Sequence, residues 1–490
     1  MIHLDWSVPA PAASAAEAVV DGDVRLSRED FASRAASLAA HLRDHFQIRA
    51  GQIVAAALHN CWQYPVCFAA VNLLGAVFLP VNPQWRAREI RWLVERLDVR
   101  AAFVAVETRA EWAQSIKPGL LADLDGHHMM EALSGRAAGA APDPGPPEPH
   151  ATALLLTTSG STGRPKIVPR TNAGLLAGAT AVGDELTIGP GHRVLAVVPF
   201  HHANGFSNGL LMPLLRGGVL IIARNALPRP LAALIHAERA QLLNLAPVLY
   251  SVFAGQLPDP AHFASVKAFL CTGAPLPAPL ARLWRDHFGQ PVRQLYGSSE
   301  TGVISIQRDT DPDVPGSVGR PLPPVSVRIL DTAGRPLPPG ETGEVAVRGP
   351  AMMNGYHDEP ELNAASFVDG HFRMGDSGRF SPEGHLILEG RLKRWINLGG
   401  VKVDPVEVEN VLHELGGVAY CHVLESRNGA GLAMVKARIQ TCPGATLSRR
   451  DVIEHCRSYL AEYKIPREIE FAGEISSDGL GKNPKEWTSS

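Results

Sequence analysis

Between Thr157 and Pro169 the chain reads TTSGSTGRPKIVP, a run of hydroxyls and glycines closed by a lysine. Glycines let backbone N–H groups approach a phosphate oxygen, Ser and Thr add hydroxyl donors, and Lys166 adds a mobile positive charge. That chemistry suits the holding of a polyphosphate. The spacing from Gly160 is G-x-x-G-x-x-K, and Ile167 follows the lysine. The common nucleotide loop, G-x-x-x-x-G-K-[ST], has a magnesium-binding hydroxyl at that point, so a phosphate-loop ATPase is disfavoured. On composition alone the run also fits a solvated Ser/Gly turn. The apolar strand that leads into it, ATALLL, and the Pro-Lys pair within it argue for a site.

Other groups capable of chemistry are scattered along the chain. Glu300 stands in LYGSSETG and Asp376 in FRMGDSG. Taken singly, each also reads as a solvated loop carboxylate. His201 and His202 lie in VPFHHANGF, where a histidine at a strand end is ordinarily structural; no partner lies at metal-ligand spacing. Near the end, SSDGLGKNPKEW offers two lysines, Lys482 and Lys485.

The elements that must position these groups follow from length and periodicity. A chain of 490 residues is too long for one compact core, so two or more domains are expected. Apolar residues make up 45%, as in soluble globular proteins. Basic and acidic residues number 46 and 49, a net charge of −3 without a long basic run, which argues against a bulk nucleic-acid binder. No apolar run approaches the 18 or so residues of a membrane span, and MIHLDWSVPAP does not resemble a secretory signal. Cys61, Cys67, Cys271, Cys421, Cys442 and Cys456 show no Cys-x-x-Cys spacing, and read as thiols in a reducing, cytoplasmic compartment.

Within LSREDFASRAASLAAHLRDHF, Phe31, Ala35, Leu38, Leu42 and Phe46 recur at helical spacing behind a Ser27–Asp30 start signal. IVAAAL, RVLAVVPF, GGVLIIA and VKAFLCTGAP read as buried strands among helices, an α/β texture. Residues 136–150 are a Pro/Ala/Gly connector. From about 316 to 390 strands and Gly/Pro turns dominate, and the last hundred residues form another α/β unit.

With these blocks in order, the chain resembles the adenylate-forming superfamily: acyl-CoA synthetases, peptide-synthetase adenylation domains and firefly-type luciferases. LLLTTSGSTGRPKIV resembles its phosphate loop and LYGSSETG its Y-G-x-[ST]-E block. TGEVAVRGPAMMNGY, FRMGDSGRFSPEGHLILEGRLKRWINLGGVKVDPVEVENVL and EYKIPREIEF…GLGK resemble the blocks that follow. The resemblance implies a large adenylation domain over 1–392, with the β-rich subdomain inside it, and a small mobile α+β domain over 393–490. It implies that a carboxylate is joined to the α-phosphate of ATP, then passed to a thiol, most often that of CoA.

Residue by residue, the resemblance assigns Thr158, Ser159, Ser161, Thr162 and Lys166 to the β- and γ-phosphates. Glu300 becomes the Mg2+ ligand, in keeping with the preference of a hard cation for carboxylate and phosphate oxygens. Asp376 and Arg391 take the ribose hydroxyls, and Tyr296 with Gly297 the adenine. Gly273, Ala274 and Pro275 line the adenine and acyl pockets with backbone. Ser299 stands where the family usually has Thr and keeps the hydroxyl. His202 aligns with a residue that gates the acyl pocket. Lys482 matches the catalytic lysine that bridges carboxylate and α-phosphate, with Lys485 as rival because Asn483 departs from the usual Ile or Val. Lys393 matches a hinge, and Gly399 and Gly400 the loop of a pantetheine tunnel. Asn397 replaces a lysine found in some members.

The acid itself is less legible. Members that activate α-amino acids carry Asp after the Phe of the block near 200; here His201 follows Phe200, which disfavours an α-amino acid. HHANGFSNG is polar for a fatty-acyl tunnel and favours a small or aryl acid. The acceptor is CoA or a separate carrier protein, and a non-catalytic acyl or nucleotide sensor is the reading from another class.

Overall fold

The computed structural model describes residues 16–85, 87–117, 121–123, 148–158, 166–308, 314–391, 396–398, 401–403, 405–427, 433–442, 444–460 and 462–472. Most of the expected connector, 136–147, lies outside them.

The apolar runs pair as two mainly parallel sheets. In the first, eight strands lie in the order Gly302–Ile306, Val292–Ser298, Ala268–Cys271, Leu242–Leu245, Arg193–Ala196, Val219–Ile222, Glu17–Asp21 and Val24–Ser27. The six inner strands are parallel, and an antiparallel partner closes each edge. Runs such as VLII and AFLC are buried on both faces, the mark of a parallel sheet covered by helices. The second sheet orders Leu121–Asp123, Val99–Val104, Ile53–Ala57, Val77–Pro80, Thr152–Thr158 and Lys166–Thr171. Its last pair is an antiparallel hairpin at the edge.

The early helix spans Arg28–His45. Ser27 caps it reciprocally: its Oγ accepts from the Asp30 amide at 3.0 Å, and Asp30 Oδ2 accepts from the Ser27 amide at 3.1 Å. Phe31, Ala35, Leu38 and Leu42 face the core, as their spacing requires.

An aromatic cluster ties the two sheets to the segment after Ala196. Phe68, on helix Gln63–Leu73, meets Phe78 at 5.4 Å and Phe206 at 4.8 Å, both edge-on. Tyr64 lies 5.2 Å from Phe200. Phe206 belongs to a wide π-helical stretch, Gly205–Leu211. A Cβ at Gly205 would sit 2.2 Å from the carbonyl oxygen of Pro199, so that turn excludes any side chain.

The β-rich stretch is a five-stranded antiparallel sheet of Ser326–Leu330, Gly343–Arg348, His371–Phe380, Phe367–Val368 and Leu386–Arg391. Beyond it, Val418–Arg427, Ala433–Thr441 and Glu468–Ala472 form a three-stranded sheet. Helices Pro405–Glu414 and Arg449–Tyr459 join it around a core of its own, which includes Val408, Leu412, Val423, Ala437, Ile439 and Val452. The combination is the expected α/β class, with a strand-rich subdomain and a smaller C-terminal unit.

Candidate active site

Four neighbouring parallel strands of the first sheet end on one edge, and each delivers candidate residues there. Arg193–Ala196 leads to His201 and His202, Leu242–Leu245 carries Asn244 near its end, Ala268–Cys271 leads to Gly273–Pro275, and Val292–Ser298 carries Tyr296 and leads to Glu300. The carboxyl ends of parallel strands are where α/β sheets bind ligands, because the chain leaves the ladder there and its side chains and backbone groups face outward.

Glu300 is held from several directions. The Ser298 hydroxyl accepts from the Glu300 and Thr301 amides at 3.2 and 3.3 Å, and the Glu300 carbonyl accepts from Met353 N at 2.7 Å. Its carboxylate Oε1 accepts from the Tyr356 hydroxyl at 2.9 Å. Tyr356 is itself clamped: Asn363 Oδ1 accepts from its amide at 2.7 Å, and Asn363 Nδ2 donates to its carbonyl at 2.9 Å. The Lys166 ammonium lies 4.8 Å from the centre of the Tyr356 ring, within cation–π range. Tyr356 thus joins the lysine of the phosphate-loop hairpin to the carboxylate after Val292–Ser298. Thr158 faces Lys166 across the mouth of that hairpin.

Arg170 secures the same corner from below. Its Nη1 donates to the Ser299 carbonyl at 2.9 Å and its Nη2 to the Ala351 carbonyl at 2.7 Å. Arg170 is buried, and burial pushes its guanidinium down to about 10 against the opposing pull of the Glu300 charge. Gly297 tolerates no side chain, since a Cβ there would lie 2.3 Å from the Gly302 carbonyl oxygen.

Asp376 is buried on strand His371–Phe380, and its Oδ2 accepts from the Tyr296 hydroxyl at 2.6 Å. The sequence reading gives Tyr296 to adenine and Asp376 to ribose; the structure joins the two side chains directly. Asp376 faces Arg391 across the antiparallel pair with Leu386–Arg391, so the backbone sets both expected ribose residues side by side. Asp376→Ala is expected to raise the ATP requirement at least tenfold. It removes acceptors whose charge-assisted bonds are worth roughly 1.5–3 kcal/mol each, and it leaves the buried Tyr296 hydroxyl without its acceptor. The ATP dependence of pyrophosphate release measures this, and an unchanged dependence would remove Asp376 from the nucleotide site.

Gly273 takes φ +92 between buried Thr272 and buried Leu276, and exposes its backbone at the edge beside Ala274 and Pro275. The rings of His201 and His202 are tilted against each other with centres 4.2 Å apart. Asn60 fixes their segment: its Nδ2 donates to the Val198 carbonyl at 3.1 Å, and its Oδ1 accepts from the Phe200 amide at 2.8 Å. Burial, with His202 and His59 nearby, holds the His201 imidazole well below its usual pKa, so it is neutral at physiological pH.

The donor set around Glu300 suits a hard divalent cation shared with a nucleotide. Tyr356 occupies one carboxylate oxygen, and Oε2 takes no hydrogen bond among the described residues. Among the described residues no group of three or more His, Cys, Asp or Glu forms a metal cage. Phosphate oxygens and water would have to complete the coordination.

Ser159, Ser161, Thr162, Lys393, Gly399, Gly400, Lys482 and Lys485 lie outside the described residues, as do the side chains of Arg391 and Asn397. Sequence reasoning passed over Tyr356, Arg170 and Asn60. Tyr356 closes the block TGEVAVRGPAMMNGY, and Arg170 is a lone arginine in the strand KIVPRT. Both were signals of a kind; Asn60 had none.

The strand-end edge with Glu300, beside the Thr152–Thr158 and Lys166–Thr171 hairpin, is the arrangement of an α/β protein with a ligand site at the carboxyl ends of its parallel strands. The family model described as AMP-binding enzyme matches residues 9–357, and the chain belongs to that family. It is 32% identical over 473 residues to the feruloyl-CoA synthase of Amycolatopsis sp, spanning 95% of this chain and 94% of that one. It is 29% identical over 446 residues to the sulfoacetate–CoA ligase of Cupriavidus necator, spanning 88% and 86%. ATP-bound MatB from Rhodopseudomonas palustris superposes with a TM-score of 0.87 at 25% identity, over 96% of this chain and 95% of that one. The anthranilate CoA ligase AuaEII, in complex with anthranoyl-AMP, shares the fold with a TM-score of 0.88 at 22% identity, over 97% and 94%.

Proposed function

We propose that this enzyme is an ATP-dependent, AMP-forming carboxylate–CoA ligase acting on a small or aryl carboxylic acid. The observation that carries the reading is the corner in which Tyr356 contacts both Lys166 and Glu300, beside the Tyr296–Asp376 pair. Through Tyr356 and Tyr296 it links the residues that the reading gives to phosphate, cation and ribose, Lys166, Glu300 and Asp376, to one another's neighbourhood. Relatives named as CoA ligases for aryl and small acids, feruloyl and sulfoacetate among them, support the choice of substrate class.

In the first half-reaction an oxygen of the carboxylate attacks the α-phosphorus of ATP, and the bond to the pyrophosphate oxygen breaks. Lys166 with Thr158, Ser159, Ser161 and Thr162 orients the β- and γ-phosphates and draws off their charge. Bound Mg2+, held by Glu300, would supply further neutralisation of the polyphosphate. Asp376 and Arg391 fix the ribose, and Lys482 spans the attacking carboxylate and the α-phosphate. In the second half-reaction the CoA sulfur attacks the acyl carbonyl and AMP leaves with the electron pair of its bond. The small domain beginning at Lys393 turns to exchange Lys482 for the Gly399–Gly400 loop, where missing side chains leave room for pantetheine. The absence of Asp from the PFHHANGF segment supports exclusion of α-amino acids. Six free cysteines support a reducing, cytoplasmic setting, and no described helix is long and apolar enough to cross a membrane.

A panel of small, aryl, fatty and α-amino acids, each assayed for pyrophosphate release with ATP and Mg2+, tests the reading. Release is expected with aryl or small acids, and thioester with CoA as acceptor. Release without thioester from CoA, but with transfer to a phosphopantetheinyl carrier, would replace CoA by the carrier. No release with any acid would overturn the ligase reading.

A further inference from the structure

Three asparagines meet at the strand-end edge, and their amides cannot satisfy one another. Asn204 Oδ1 accepts from Asn208 Nδ2 at 2.8 Å and from Asn244 Nδ2 at 3.0 Å. Asn204 Nδ2 and Asn244 Oδ1 are then buried without a hydrogen-bond partner among the described residues. Turning all three amides over exchanges donor for acceptor and still leaves one of each. Asn244 is 7% exposed and Asn204 half-buried, so leaving these two groups unpaired costs roughly 1–3 kcal/mol apiece. A fold does not ordinarily keep that cost where a Leu would pack, as Leu242 does two residues earlier on the same face of the strand.

The surroundings narrow what could pair with them. The edge segments 197–212, 242–250 and 268–276 contain no Asp, Glu, Lys or Arg. The neighbouring His201 Nε2 is also buried without a hydrogen-bond partner among the described residues, on a ring that burial keeps neutral. An ionised second group on the substrate would find no counter-charge from these segments, whereas a neutral donor–acceptor group would complete the amides. Asn244 lies two strands across the sheet from Tyr296 and level with Arg293, three residues before it, an offset on the order of 14 Å at the usual strand spacing and rise.

We infer that the acid activated by this enzyme carries a neutral hydrogen-bonding substituent, a hydroxyl or carboxamide remote from its carboxylate, which pairs with the free amide groups of Asn204 and Asn244. The inference rests on the ligase reading and specifies its substrate class. A site built to hydrogen-bond a polar group rejects the analogue that lacks it far more strongly than an apolar pocket rejects an extra methylene, because its own buried groups are left unpaired.

The test uses matched acids with the full-length enzyme: cinnamate against 4-hydroxycinnamate, phenylacetate against 4-hydroxyphenylacetate, and benzoate against 4-carbamoylbenzoate. The quantity read is the ratio of kcat/KM within each pair, from pyrophosphate release. In the native enzyme at least one polar member is expected to lead by about 100-fold or more. Asn244→Leu, close in volume but without hydrogen bonding, is expected to bring that ratio below about tenfold. Asn204→Ser, at a half-buried position and milder for folding, is expected to lower it part of the way. Ratios near one in every pair for the native enzyme would mean that the amides bind only water, and would overturn the inference while the ligase reading stands. A strong preference unchanged in both variants would overturn it equally. Absence of pyrophosphate release with all six acids and with the broader panel would overturn the ligase reading, and this inference with it.

Discussion

Lys482→Ala is expected to slow acyl-adenylate formation by about 10³-fold, roughly 4 kcal/mol of transition-state stabilisation. The lysine is assigned by its place in GLGK, where the ammonium would lie between two anions that must approach each other: the attacking carboxylate and the α-phosphate. Without a bridging cation their repulsion returns in full. A flexible ammonium is suited to this, because it follows the charge as it moves from carboxylate to phosphoryl oxygen. Thioester formation from supplied acyl-adenylate involves no such approach, so the variant should retain it. The two half-reactions, measured separately as pyrophosphate exchange and as thioester from adenylate, check this split. Severe loss in Lys485→Ala with a mild effect in Lys482→Ala would move the assignment three residues along the tail. Equal loss of both half-reactions in Lys482→Ala would point to damage beyond the bridging charge.

The second large effect belongs to Glu300→Gln. The amide is nearly isosteric, and its oxygen can still accept from Tyr356, as the carboxylate does at 2.9 Å. The backbone hold on the loop, from Ser298, Met353 and Arg170, does not involve the side chain. The change therefore isolates the charge. Loss of an anionic oxygen at a hard-cation site is expected to reduce adenylation by about 10²–10³-fold and to raise the Mg2+ concentration needed for half-maximal rate. Titration of pyrophosphate exchange against Mg2+ measures both. A variant with native rate and native Mg2+ dependence would exclude Glu300 as the metal ligand and leave it the role of orienting Tyr356.

Much of the local architecture could be read directly. The Ser27–Asp30 start and the buried positions Phe31, Ala35, Leu38 and Leu42 depend only on neighbours within a turn or two. The strands Ile53–Ala57, Val219–Ile222 and Ala268–Cys271 fall within apolar runs that the sequence delimits, for the same reason. The phosphate-loop block, LYGSSETG and the GDSG block were recognisable because each concentrates its residues within a short stretch, and their order along the chain identified the family.

What the sequence alone determined, then, is the α/β class, the family, and the residue types available for the reaction. These follow from periodicity and from contiguous blocks, where every interacting residue is near in the chain. What only the tertiary structure decided is which polar groups meet. Tyr356 reaches Glu300 across 56 residues, Tyr296 reaches Asp376 across 80, and Arg170 reaches the Ser299 carbonyl across 129. Asn204 and Asn244, 40 residues apart, come together because the strand that leads to Asn204, Arg193–Ala196, lies beside Leu242–Leu245 in the sheet. Hydrophobic patterning states which face of a strand is buried, but not which strand lies beside it. A buried arginine in KIVPRT or an asparagine in LLNL therefore remains an unexplained polar residue until strand order brings its partner, or the lack of one, alongside.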